Sequence, residues 1–255
     1  MTLGELLTLL RESILNDRTD RTEGTSDYLW RDSTLVTFID EAQRRFAVRS
    51  LALRDATTDE VTKVVLKAGQ TIYPLHPAVL SVMTAKRALR DADLTRVGHS
   101  IFSAYMSPTD AFQDPASYTG IPPGETRLWS TDEAVNDIFG DSFSQISLRV
   151  YPMPTTEQEG DVIRLRVIRK PLAKLVPSAL GAVPEIPEDH HIEMLDWAAY
   201  LALRIVDDDA GAPKRAAEFA ASFESHVTEA RKLAMRKMFA PIGWGFGRGG
   251  FSWTS

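Results

Sequence analysis

The sequence predicts an α+β fold: a helical bundle made from the N- and C-terminal segments, a mainly antiparallel β lobe inserted between them, and a glycine- and aromatic-rich C-terminal tail. Three observations carry that prediction. Apolar residues recur at helical spacing at both ends of the chain, they alternate at the two-residue period of strands in the middle, and residues 239–255 fit neither pattern. The corresponding boundaries are 1–58 for the first bundle helices, 59–172 for the β lobe, 173–238 for the closing helices and 239–255 for the tail.

Each element has a local rationale. Thr2 followed by Glu5 has the spacing of a capping box, and Leu3, Leu6, Leu7, Leu10 and Ile14 predict a first helix to about Asn16. Polar residues 17–28 predict a surface loop. Asp32 or Ser33 is placed to cap a second helix whose stripe is Leu35, Phe38, Ile39, Ala42 and Phe46, with Leu29 or Trp30 as the apolar staple before it.

From Glu60 the β-branched content rises, and Gly69, Pro74 and Pro77 punctuate short strands. Residues 91–126 predict an irregular excursion containing a short helix. In SQISLRVYP and DVIRLRVIR apolar and polar residues alternate, and the intervening PMPTTEQEG predicts that the two pair as an antiparallel hairpin. Pro187 occupies an expected first helical position, ahead of the nearly all-apolar IEMLDWAAYLALRIV. Asp207 to Gly211 ends that helix. Pro213 opens the last one, striped by Phe219, Phe223, Val227 and Ala230 and running to about Met238.

Composition narrows the function. The 255 residues contain no cysteine, which excludes disulfides, thiolate metal sites and cysteine nucleophiles. A net charge of -6 argues against a nucleic-acid binder held by its overall field. With no basic leader and no apolar run of membrane-spanning length, the chain is expected to be made and folded in a cytoplasm.

Motifs that suggest chemistry fail on context. Gly245, Gly247 and Gly250 spell GxGxxG, but no strand precedes and no helix follows to receive a pyrophosphate. His190, His191 and Glu193 lack the HExxH spacing that sets two imidazoles on one helix face, so they read as polar first-turn residues. Asp207, Asp208 and Asp209 lack the alternation of a calcium loop. His99 beside Ser100 has no nucleophile elbow, and His76 lies in a turn. No catalytic residue, cofactor or metal is expected. Arg44, Arg45, Arg49 and Arg54 form a basic run that reads either as a solvated helix face or as a surface for phosphate or an acidic partner.

The tail raises a separate question. FAPIGWGFGRGGFSWTS has five aromatic residues, five glycines and a single charge. Its glycines make ordering costly, which leaves three readings: its aromatic side chains are buried in the chain's own fold, the segment is a disordered end, for which it is unusually rich in aromatics, or it docks on a partner.

The layout as a whole resembles the head-to-tail adaptor or connector proteins of tailed bacteriophages, including tail tubular and gatekeeper-type proteins. The stretches that carry the resemblance are LWRDSTLVTFIDEAQRRFAVRSLALRD, TIYPLHPAVLSVMTAKRA, SQISLRVYPMP with DVIRLRVIRKP, and PEIPEDHHIEMLDWAAYLALRIVDDD, which together span most of the chain. The resemblance implies a structural virion protein at the head-tail junction, assembled in the bacterial host cytoplasm. It implies a homo-oligomeric ring of about twelve copies below the portal, bound to the portal and to other tail proteins, through which genomic DNA passes without specific binding.

About twelve chains at -6 give a ring near -72, which lets phosphates slide where a basic lumen would hold them. The partner-binding residues expected on this reading are Phe239, Trp244, Phe246, Arg248, Phe251 and Trp253 of the tail together with Arg44, Arg45, Arg49 and Arg54. Two other readings are another neck or tail-completion protein, and an enzyme with an unrecognised site.

Overall fold

A computed structural model describes residues 1–17, 29–89, 92–98, 124–131, 146–205 and 212–238. The expected loop tip at 18–28, most of the excursion between 91 and 126, the acidic turn at 207–211 and the tail at 239–255 lie outside those residues.

Helix α1 (Leu3–Leu9) begins with the expected capping box: Thr2 Oγ1 accepts from the Glu5 amide and the Glu5 carboxylate from the Thr2 amide. A single π-helical turn, Leu10–Ile14, continues it to a left-handed Asn16 (φ 53°). Helix α2 (Asp32–Ser50) buries Leu35, Ile39, Ala42 and Phe46 as the stripe requires. Its cap differs from expectation. Arg31 precedes the first turn without a side-chain cap, because Asp32 is already helical and pairs instead with Arg11 at 2.7 Å. Trp30 is the buried staple, while Leu29 is exposed.

Short strands follow: β1 (Arg54–Asp55), the turn of helix α3 (Asp59–Thr62), β2 (Lys63–Val65), β3 (Ile72–Pro74), β4 (Val79–Arg87), β5 (Ala92–Asp93), β6 (Thr95–Arg96), β7 (Leu128–Thr131), β8 (Ser147–Tyr151) and β9 (Val162–Arg169). They form two sheets, one ordered β1-β9-β4-β5 with β2 also on β9, the other β3-β8-β7-β6. All pairings are antiparallel except β6 with β7. The stretch read as irregular therefore starts with two short strands, and Leu94 between them is buried.

The expected hairpin does not form. Strand β8 pairs with β3 and β7, whereas β9 pairs with β1, β2 and β4 in the other sheet. Alternation states which side chains are buried, and both strands obey it: Leu148 and Val150 share one core with Ile163, Leu165 and Val167. The strands face each other across a sandwich instead of bonding edge to edge. Between them the Thr155 capping box closes a 3₁₀ turn (Thr156–Gln158). Gly160, at φ 83°, donates its amide to Leu66 O, and Asp161 O accepts from Leu66 N, so this linker is tied to the segment after β2.

After β9 the chain returns to the bundle. Pro187 caps a 3₁₀ turn (Glu188–His190) instead of opening an α-helix, and α4 starts only at Leu195, running to Leu203. His191 is the physical reason. It is buried, with Nε2 2.9 Å from Ile186 O and Nδ1 3.2 Å from the N-terminal amine, and that fixes the turn ahead of the helix. It is a structural core histidine and not a solvated first-turn residue. Helix α5 (Ala212–Met238) then spans about 40 Å at 1.5 Å per residue.

The described residues form two apolar cores. One joins Leu3, Leu6, Ile39, Phe46, Leu195, Ala199, Phe223 and Val227 from both ends of the sequence; the other fills the sandwich around Val82, Trp129, Leu148 and Leu165.

Candidate assembly interface

The basic run is split between two elements: Arg44, Arg45 and Arg49 belong to α2, whereas Arg54 lies in β1 because the helix ends at Ser50, and the run borders the seam where α2 meets α4 and α5. Arg45 stacks its guanidinium 3.8 Å from the centre of the Trp197 ring, whose neighbours are Tyr200 and Phe223. Arg49 pairs with Glu224 of α5, and Arg54 donates to the Ala234 carbonyl further along α5. Arg44 is exposed and sits 3.7 Å from Asp40 one turn earlier. Three of the four thus reach their own chain's helices. A planar guanidinium suits each role, as it can stack on an indole and donate sideways at once. Phe239, Trp244, Phe246, Arg248, Phe251 and Trp253 belong to the segment outside the described residues.

Below Arg49 the same two helices diverge and leave a groove of about 960 Å³. Its lining is apolar at Val48, Leu51, Val227 and Met235 and basic at Arg49, Arg231, Lys232 and Arg236, beside the one carboxylate of Glu224. Only Arg49 was legible as a candidate from sequence. Arg231, Lys232 and Arg236 were missed because their helix reads as an ordinary amphipathic one; the available signal was that its last three turns concentrate cations in a chain of net charge -6.

A second cluster sits at the junction of bundle and sandwich. Arg169, the last residue of β9, donates Nε to Asp55 Oδ2 at 2.7 Å and Nη1 to Glu185. Glu185 Oε1 also accepts the amides of Leu172 and Ala173, at 2.7 and 2.6 Å. On the helix side Gln43 accepts the Glu185 amide at 2.8 Å and Asp40 accepts the Leu175 amide at 2.9 Å. The return segment is therefore clamped between α2 and the sheet. Burial opposes ionisation of Asp55, yet hydrogen bonds from Thr58 and Thr57 and from the Arg169 guanidinium outweigh it and hold the carboxyl well below the ordinary range. Within the sandwich, Arg87 of β4 forks onto Asp161 at 2.6 and 2.8 Å and onto Glu125 at 2.9 Å, tying the two sheets together.

Among the described residues the histidines are engaged by their own neighbours. His190 bonds Glu193 at 2.6 Å and stacks on Phe46, while His226 turns one ring nitrogen toward Glu193 and the other toward Asp196, each at 3.6 Å. Burial raises the Asp196 carboxyl above its ordinary value, offset in part by Ser222 and His226. Opposite nitrogens facing different carboxylates cannot chelate one ion, and no metal-competent group of three occurs among the described residues. Among those residues, too, no helix is long and apolar enough to cross a membrane.

What the arrangement offers is surface and rigidity: helices locked by arginine at one seam, a clamped junction and an open charged groove. A family model described as SU10 adaptor protein matches residues 1–244. No curated protein matches the sequence.

Proposed function

From the membership of this chain in the SU10 adaptor protein family, a family of phage head-to-tail adaptors, we propose that it forms a ring below the portal, links capsid to tail and lines part of the DNA channel. The family is structural and not an enzyme family, its members are virion components, and its role implies contacts with other phage head and tail proteins. What supports the finer reading is the extent of the family match, which runs through both halves of the bundle and the sandwich between them.

On this reading the bundle supplies the subunit contacts, and the junction around Arg169 holds the sandwich at a fixed angle to it. About twelve copies assemble, each adding to an acidic ring that does not grip the passing phosphates. The segment 239–255 docks on the portal or a neighbouring copy through Trp244, Phe246, Phe251 and Trp253. Large aromatic side chains seated in pockets supply most of the energy of such a contact, and ordering five glycines is the main opposing cost.

The test is genetic and structural together. Phage lacking this gene should package DNA into heads that carry no tails, and supplying the chain in trans should restore tailed particles. Normal tailed particles without the chain would refute the reading.

A further inference from the structure

We propose that the groove between α2 and α5 receives the outer face of α1 and of the π-helical turn that continues it, from a second copy of this chain, in a repeated head-to-tail contact. The proposal rests on the adaptor reading and names the subunit interface which that reading requires.

Three features support it. The groove carries four cations against one carboxylate beside apolar lining residues, in a chain whose net charge is -6. Arg231, Lys232 and Arg236 are exposed, so they meet water until something acidic covers them. The apolar lining favours a protein segment over a bare phosphate backbone, because Val48, Leu51 and Met235 gain nothing from phosphate.

The complementary surface lies on the same chain. Along residues 3–14 the only charges are Glu5, Arg11 and Glu12. Arg11 is buried against Trp30 O and Asp32, which leaves Glu5 and Glu12, seven residues apart and both exposed, on the outward face with the exposed Thr8 between them. That is an exposed acidic helical face, the charge complement of the basic groove.

The two surfaces sit toward opposite ends of α5. Arg215, in its first turn, donates to Ile14 O beside the acidic face, whereas the groove begins at Glu224 and centres near Arg231, about 24 Å further along the axis. One copy can therefore offer both surfaces at once. Two different complementary patches on each copy make a heterologous contact, and such contacts close into rings when the rotation permits.

The chain has no cysteine, so crosslinking reads the contact directly. Particles assembled with Glu12→Cys and Lys232→Cys on the same chain, oxidised and run without reductant, should give a ladder of dimers, trimers and higher species. Each single variant should stay monomeric, since neither patch meets itself. Separately, Arg231→Glu with Lys232→Glu should lower the copies incorporated per particle by about tenfold or more, and Glu12→Lys on the same chain should recover part of that loss. All three positions changed in these variants, Glu12, Arg231 and Lys232, are helical, and only exposed side chains are touched, so a melting curve unchanged from the parent chain confirms folding. No ladder in particles that hold the chain at normal occupancy would overturn the proposal and leave the adaptor reading standing. A loss on groove reversal with no ladder and no recovery would assign the groove to another partner and overturn it equally. Absence of the parent chain from the particles would instead refute the adaptor reading.

Discussion

Replacing Arg169 with methionine tests how the sandwich is held to the bundle. The variant keeps an apolar stem, but Asp55 and Glu185 lose the guanidinium they share, in a place where the Asp55 side chain is only 4% exposed. Removing one partner of a buried ion pair costs about 3–5 kcal/mol, because a charge is left without compensation. Asp55 keeps its amide donors from Thr57 and Thr58, and Glu185 keeps those of Leu172 and Ala173, which puts the expected loss near the lower end, about 3 kcal/mol.

For a chain of this size that is a fall of about 6–12 °C in melting temperature, read by calorimetry or circular dichroism at pH 7. The pH dependence supplies an internal check. Asp55 ionises in the native state well below its ordinary value, so its contribution is complete above the unfolded value of about 3.9 and is lost as pH falls below that. Without Arg169 the depression shrinks and less remains to be lost, so the gap between parent and variant narrows as pH drops through about 4. Adding Asp55→Asn and Glu185→Gln to the variant should recover much of the loss. A loss below about 1 kcal/mol at pH 7, or a gap that widens in acid, would refute the reasoning.

Other perturbations separate core, turn and docking roles. Phe46→Ala empties the contact among α2, His190 and Phe223 and should cost about 3–5 kcal/mol by chemical denaturation. Gly160→Ala adds a Cβ that meets no atom within 4 Å, so any loss comes from the backbone: an L residue forced to φ 83° should cost about 1–2 kcal/mol in the same assay. Deleting residues 239–255 should leave the melting temperature nearly unchanged while incorporation into particles is lost; an unfolded truncation would place those aromatic residues in the chain's own core.

Much of the bundle was legible because each stripe has one solution. Leu35, Ile39, Ala42 and Phe46 on one face of a helix must be buried, whatever the partner. The sandwich was legible only by face. Alternation identified Leu148, Val150, Ile163 and Leu165 as buried, but hydrogen-bonded neighbours are chosen by the chain's path, and a short turn-rich linker does not distinguish a hairpin from a crossing between sheets. His191 escaped for a related reason: its partners are the Ile186 carbonyl and the N-terminal amine, the latter distant in sequence, and no local pattern announces them.

The interface residues split in the same way. The run Arg44, Arg45, Arg49 and Arg54 was visible as charge, but Arg45 over Trp197 and Arg54 on Ala234 O are tertiary facts. The groove needs two helices more than 170 residues apart to meet, as the 175-residue separation of Arg49 and Glu224 records. Family resemblance supplied what periodicity lacks, since order of elements survives where contacts cannot be read.

The most direct measurement of the account is an electron cryo-microscopy reconstruction of the neck of the intact particle. The account predicts a closed ring of this chain between portal and tail, with the acidic face of α1 and its π-helical continuation from each copy in the α2/α5 groove of the next and residues 239–255 ordered against the portal or a neighbour. A neck in which this chain is absent, or a ring whose subunits touch through neither surface, would contradict it.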